Sequence, residues 1–566
     1  MTPICPSSVK NFSLIVEIFT NKAYTDGFRS FLVESCFGFD PPLIFLTGTK
    51  TMCRNCLFNR REFVGTMGVL AAGTMLATQA LASQDTPDPA QFQWDPYAPL
   101  MHPCKTLKVQ PVLMYRDQPF QKLSSYKSWG HVNSKATADE EVQRINEQIN
   151  RMKTTAGFAV EFLPLIVVSS TEEAQKIHEQ DYDVVLLYPA TGGGDCFLAC
   201  TSKRPNADTI VYVRHQNGPV YYWYEALSDR YLTAPDDPVL QNNSADNHGP
   251  LTVEDVVVDD LDEVVWRLRS LYALKNFIGH KVVTIGNAAG KYDESAPDNC
   301  RSRFKQEIVE VSYEDFEKRY VQYAANKEIV AKAEAWTDIY LKMPNTKLET
   351  DRDFVMKAFL VYGVFKELLI ANNASTISVL GCMGTMFHAA ETTACLSLGW
   401  LNDEGYLGLC ESDFVLVPAA VLMRYITNKP VFMHNSTFPH NGMVTCAHCA
   451  SPRRMDGVNY DPMRIMTHYE SDFGASPKVD FPVGQQVTFL DPHYANPRWL
   501  TFTGTVKSNP DFEICRSQQD VLLDGDWKRL KVEARDSHWT MVFGDYKNEV
   551  EYVSRKLGVK CVRIDT

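Results

Sequence analysis

From residue 105 the chain alternates apolar, strand-like runs with longer amphipathic stretches, and this alternation constrains the fold more than any other feature. LKVQPVLMY at 107–115 reads as a buried strand, and ATADEEVQRINEQINRMKT at 136–154 as a helix with Val142, Ile145 and Ile149 on one face. FAVEFLPLIVVS at 158–169 reads as a strand, TEEAQKIHEQ at 171–180 as a helix capped by Thr171, and YDVVLLYPA at 182–190 as a third strand. Strands separated by helices cannot pair as hairpins, so the expectation is a parallel sheet with helices on both faces. DTIVYVRH at 208–215 and HKVVTIGN at 280–287 continue the pattern around a helical stretch at 253–277. Long helices at 313–342 and 351–373 follow, and STISVLGC at 375–382 returns to strand.

After about residue 470 the period changes. GQQVTFLDP, WLTFTGTVKS, RLKVEARDS and HWTMVFGDY are short β-branched and aromatic runs separated by Gly, Pro, Asn and Asp, followed by a helix at 546–558. The expected architecture is α/β: two Rossmann-like parallel-sheet domains at 105–205 and 206–374, then a mixed C-terminal domain at 375–566 containing an antiparallel β-barrel.

The N-terminal part reads differently. Asn59-Arg60-Arg61-Glu62-Phe63-Val64 is followed by an uncharged Ala-, Gly- and Thr-rich stretch and by Ala80-Leu81-Ala82. A positive segment, a weakly apolar one and an A-x-A site are the parts of a signal peptide, and the paired Arg60 and Arg61 resemble a twin-arginine signal. The alternatives are a buried Ala-rich helix and an uncleaved membrane anchor. Met52 lies just before the arginine pair, so residues 1–51 read as a non-native upstream extension, 52–82 as the signal cleaved near Ala82, and 83–104 as a linker. The expectations are an exported, periplasmic protein and a partner in the twin-arginine export machinery, which carries folded proteins.

Charge excludes one class of partner. The chain carries 56 Lys and Arg against 69 Asp and Glu; residues 1–82 hold seven and five of these, leaving 49 against 64 in the remainder. So acidic a body lacks the clustered basic surface that nucleic acid requires. Of 15 Cys, 11 follow Ala82, an odd and scattered set rather than a disulfide framework. Only Cys446 and Cys449, in CAHC, have a spacing that invites a disulfide or a metal, and no second pair at zinc-finger spacing accompanies them.

Seven of the 13 His fall between residues 381 and 538. In the same region, LNDEGYLGLCESDF carries Glu411 and Asp413 two residues apart. On an extended segment both would face one side and form a hard-oxygen pocket suited to Mn²⁺ or Mg²⁺. The reading as a solvated acidic turn is weakened by the flanking apolar LGLC and FVLVPAAVLM, because buried carboxylates need a cation or hydrogen-bond donors.

These segments carry a resemblance. ETTACLSLGWLNDEGYLGLCESDFVLVPAAVLMRYITNKPVFMHN, then TCAHCASP, then DSHWTMVFGDY, resemble the C-terminal half of the L-fucose isomerase and L-arabinose isomerase-like superfamily. The resemblance implies a divalent ion, usually Mn²⁺, and interconversion of aldose and ketose through an enediol. It places Glu411, Asp413 and His538 on the metal, with Glu411 also the catalytic acid/base. Glu391 is the nearest candidate for the family's further carboxylate. His448, Trp400 and Trp539 are candidates for contact with a small sugar, and the family's closed rings imply a homo-oligomer. Export sets this chain apart from cytoplasmic isomerases and implies an extracytoplasmic sugar or glycoside. The alternatives are a non-catalytic carbohydrate-binding protein on the same fold and another metal-assisted, epimerase-type enzyme.

Overall fold

The computed structural model describes residues 87–127, 130–215, 232 and 251–564. Arg60, Arg61 and the cleavage site lie outside them. Residues 85–566 form one compact unit by contact.

The alternation folds as expected into parallel sheets. The first contains β1 (Leu107–Met114), β2 (Val160–Phe162), β3 (Ile166–Val168), β4 (Val184–Pro189), β5 (Asp208–Val213) and β6 (Val256–Val258), in the order β2-β1-β4-β5-β6 with β3 also on β1. Every pairing in it is parallel. The second contains β7 (Lys281–Ile285), β8 (Glu307–Val311), β10 (Thr376–Val379) and β11 (Leu407–Cys410), also all parallel, in the order β11-β10-β7-β8. Strand β9 (Thr346–Glu349) lies between these in the chain and pairs instead with β14 (Met463–His468), which pairs with β15 (Phe473–Val479).

The change of period after residue 470 marks a barrel that recruits earlier strands. Strands β12 (Phe432–Ser436), β13 (Met443–His448), β16 (Gln486–Pro492), β17 (Arg498–Ser508), β18 (Ser517–Leu523) and β19 (His538–Phe543) run β16-β19-β12-β13-β18-β17, and β17 pairs back onto β16. All six pairings are antiparallel, so the barrel is closed and has no free edge. Strand β20 (Lys560–Arg563) lies parallel to β17 on the outside of this circuit.

Several elements differ from the sequence reading, each for a local reason. The 158–169 run is two strands, separated at Leu163–Leu165, where Pro164 cannot donate to a ladder. The 253–277 stretch opens with a 3₁₀ turn at Val253–Asp255, passes through β6 and becomes an α-helix only at Leu261–Phe277, where the Asp260 side chain caps the Asp262 and Glu263 amides. The 313–342 helix is two, Tyr313–Ala325 and Lys327–Leu341, with Asn326 ending the first and capping the second. Thr171 caps no helix; the short Gln175–His178 turn starts after Ala174. The sheets also do not divide at residues 205 and 374: β6 belongs with the first sheet, and the second spans residues 281–410.

The segment read as a linker is a packed strap. Phe92 and Trp94 are buried among Trp336, Phe359 and Trp400. Gly363 makes room for Phe92, since a Cβ there would stand 2.4 Å from its ring. The Met101 amide donates to the Glu404 carbonyl at 2.7 Å. Among the described residues no helix is long and apolar enough to cross a membrane.

Candidate metal centre

The second sheet reverses its strand order between β7 and β10: the chain leaves β7 for β8 on one side and returns to β10 on the other. In parallel sheets such a reversal opens a crevice at the carboxyl ends of the strands, where ligands bind. Glu411 directly follows β11 at this end. The chain turns there with two consecutive left-handed residues, Glu411 at φ 63° and Ser412 at φ 44°. Non-glycine residues hold this conformation at about 1–3 kcal/mol each, so surrounding contacts must enforce it. Ser412 Oγ meets Thr284 Oγ1 at 2.6 Å, and the Phe414 amide donates to the Ala289 carbonyl at 2.8 Å. Glu411 and Asp413 are therefore not neighbours on an extended strand, and their carboxylates do different things.

Glu411 faces two imidazoles brought by the barrel. His538 begins β19 and His448 ends β13; His538 lies opposite Asn435 in β12, which lies opposite Ala447 in β13. The His538 and His448 Nε2 atoms stand 3.5 and 3.8 Å from Glu411 Oε1, and one ligand atom from each of the three residues fits within 4.8 Å of the others. His538 Nε2 is buried and has no hydrogen-bond partner. Of the sequence candidates, Glu411, His448 and His538 thus converge, with His448, offered by the sequence for sugar contact, in a position to ligate.

Asp413 lies behind this group. Its Oδ2 accepts from His538 Nδ1 at 2.7 Å, and its Oδ1 accepts the Lys291 and Val415 amides at 2.9 and 3.1 Å. It fixes Nδ1 of His538 as the protonated nitrogen and aims Nε2 at Glu411. The structure thus places it as a positioning carboxylate rather than in the metal-capable group.

The other candidates lie elsewhere. Glu391 ends a helical turn at the surface, its side chain 72% exposed and paired with Lys357 Nζ at 2.7 Å. Trp400 is fully buried, stacked on Phe359 at a ring-centroid distance of 3.9 Å. Trp539 is buried against Phe489 and Phe502, with its indole N–H on the Asp536 carbonyl. Neither indole presents a face to a sugar. Cys446 and Cys449 are both free thiols, so CAHC holds no disulfide.

Two residues escaped the sequence reading. Lys291, in the loop after β7, places Nζ 2.9 Å from Glu411 Oε2. It lies 120 positions from its partner, and nothing in the sequence joins them. Asp536 stands two residues before His538, with its Oδ2 buried and unpartnered. Burial, with Asp413 beside it, pushes Asp536 up to about 8. The DSH string carried that signal in the sequence.

The electrostatics describe a centre that attracts positive charge. Burial opposes ionisation of both Glu411 and His538, but the outcome follows their pairing. His448 and His538 hold Glu411 well below the usual carboxylate range, and Asp413 and Glu411 push His538 up to about 9. A proton on His538 and the ammonium of Lys291 balance the charge of the two carboxylates. A bound cation would replace that proton. A cleft of about 210 Å³ runs beside Phe414 and Val415, lined in part by Asp293, Asn299, Arg303 and His493.

The sequence matches no protein-family model and no curated protein.

Proposed function

We propose that the protein is a divalent-metal-dependent, sugar-converting enzyme of the fucose isomerase-like kind, on Rossmann-like sheets, exported by the twin-arginine route and assembled as a homo-oligomer. The observation that carries the metal reading is the convergence of Glu411, His448 and His538 around the unpartnered His538 Nε2. Two imidazoles and one carboxylate fit a divalent transition ion with open positions, Mn²⁺ by the resemblance, better than Mg²⁺. Bound there, the ion would polarise the oxygens on C1 and C2 of an open-chain sugar and stabilise enediolate charge.

The chain's own residues would manage the proton and the geometry. Asp413 holds the His538 ring in the ligating tautomer. Lys291 neutralises the second oxygen of Glu411. Asp536, two residues before His538 and with its Oδ2 buried and unpartnered, is the candidate carboxyl for giving and retaking a proton, the role for which the sequence offered Glu391.

The test is metal analysis of native protein, followed by incubation with aldoses and ketoses in D₂O. Stoichiometric Mn²⁺, Fe²⁺ or Zn²⁺ lost in Glu411→Gln, with deuterium entering at C1 or C2, is expected. One observation favours the second reading, a non-catalytic sugar binder: Lys291 gives Glu411 a countercharge without any ion. Sugar binding with no divalent ion, unaffected by His538→Ala, would establish that reading instead.

A further inference from the structure

A second group of ligating side chains lies next to the first. Cys395, at the start of the Cys395–Glu404 helix, Cys449, just after β13, and His468, at the end of β14, are all buried, and one ligand atom from each fits within 4.8 Å of the others. His468 Nδ1, like His434 Nε2 and His538 Nε2, is a buried imidazole nitrogen with no hydrogen-bond partner. Cys382 lies beside them in a single π-helical turn, Cys382–Met386, entered through left-handed Gly381. Its thiol lies close enough to Cys395, Cys410 and His468 to interact electrostatically with them, and that of Cys410 to Cys395 and Cys449, although neither Cys382 nor Cys410 belongs to the group whose atoms all fit within 4.8 Å. All four of these cysteines are buried and unpaired.

We propose that Cys395, Cys449 and His468 form the core of a Zn²⁺ site, separate from the Glu411 centre, with the neighbouring Cys382 drawn in as the fourth, tetrahedral ligand, so that the ion ties the ends of four segments together. Two thiolates on one Zn²⁺ at about 2.3 Å stand about 3.8 Å apart, so the ligand atoms of Cys395, Cys449 and His468, within 4.8 Å of one another, need close only slightly around a single ion, while the Cys382 thiol, outside that group, moves further to complete the set. A cuboidal iron–sulfur cluster needs its thiolates spread around a much larger body. Three thiolates and one imidazole are a donor set selective for soft or borderline ions, whereas the carboxylate and two imidazoles nearby accept harder ones. The two centres share a wall: His448 Nε2 faces Glu411 at 3.8 Å, and its Nδ1 faces Cys449 Sγ at 3.8 Å. The sequence hides this site because its ligands span residues 382–468 at irregular intervals, and only Cys449 belongs to a recognisable spacing.

The experiment uses the full chain purified under reducing conditions without chelator. About one equivalent of Zn²⁺ per chain should survive in a Glu411→Gln, His538→Ala double variant and be lost in Cys395→Ser and in His468→Ala. Because those variants could misfold, the deciding measurement is on the wild-type chain: exchange with Co²⁺ should give the near-ultraviolet thiolate-to-cobalt charge-transfer band that only cysteine ligation produces. A thiol-blocking mercurial should release the ion. Absence of that band, free titration of Cys382, Cys395 and Cys449 by a thiol reagent in the folded protein, or a Cys395–Cys449 disulfide after purification would each overturn the proposal.

Discussion

Replacing Asp413 with Asn separates the positioning role of this carboxylate from its charge. The side chain sits in a buried pocket of three donors: the Lys291 and Val415 amides on Oδ1, and His538 Nδ1 on Oδ2 at 2.7 Å. Asn can keep its carbonyl on the two amides, because turning it over would set an NH₂ group against both of them. Its own NH₂ then meets His538 Nδ1, which must offer a lone pair and pass its proton to Nε2. A protonated Nε2 cannot ligate. The stability cost is the loss of one charge-assisted bond partly offset by a neutral one, about 1–2 kcal/mol. The metal cost is that of losing the group that orients a ligating imidazole, about 10- to 100-fold in affinity. Thermal unfolding measures the first quantity, and competition with a fluorescent chelator the second. Asp413→Ala, which strands all three donors, should cost more stability than Asn for a similar loss of metal. Wild-type metal affinity in Asp413→Asn, alongside its loss in His538→Ala, would show that the Asp413–His538 bond does not select the tautomer.

Other expectations follow from burial and backbone geometry. His280 bridges Thr376 and Tyr425, and burial, with Arg424 nearby, lowers it to about 3. The unfolded chain takes up this proton below about pH 6.5 and the folded chain does not, so stability falls with pH from there by about 1.4 kcal/mol per unit until the folded value is reached. Denaturant titrations at pH 7 and 4.5 should show this loss, and His280→Gln should reduce it; an unchanged acid loss in the variant would contradict the assignment. Trp400→Ala should cost about 3–5 kcal/mol by urea unfolding while bound metal is retained, since Trp400 is core; a selective loss of sugar binding would return it to the site. Glu391→Gln should leave turnover and metal content unchanged because its carboxylate faces solvent and Lys357. Gly405→Ala would bring a Cβ to 2.2 Å from the Met101 carbonyl at φ 99°, so calorimetry should record a lower Tm with faster proteolysis before residue 105.

The parts of the fold legible in the sequence were those set by local periodicity. Alternating apolar runs identified parallel sheets, and the switch to short β-branched runs identified a barrel. Periodicity could not show that β12 and β13, which precede the switch, close that barrel, because closure is a long-range pairing. The breaks at Pro164 and Asn326 were missed because the apolar pattern continues on both sides of each residue, although Pro164 cannot donate to a ladder and Asn326 caps the second helix. The strap at 87–104 was read as a linker because its Pro and Asp masked Phe92 and Trp94, whose partners lie hundreds of residues away. The same division holds at the site. Glu411, His448 and His538 stand in short strings with metal-ligand character and were singled out. Lys291, Cys382, Cys395 and His468 were not, because only folding brings them to their partners. The pairing of Glu411 with Asp413 misled because it assumed an extended backbone where the chain turns left-handed.

The strap fixes where a usable protein must begin. A chain started at Leu107, the first strand, would keep every sheet yet lose two aromatic plugs, Phe92 and Trp94, and leave the faces of Trp336, Phe359 and Trp400 open to water. Such a chain would tend to self-associate through that apolar scar, and an apparent oligomer seen with it would report the trimming rather than the native assembly. Shortened versions made for crystals or assays should therefore keep everything from about residue 85 onward.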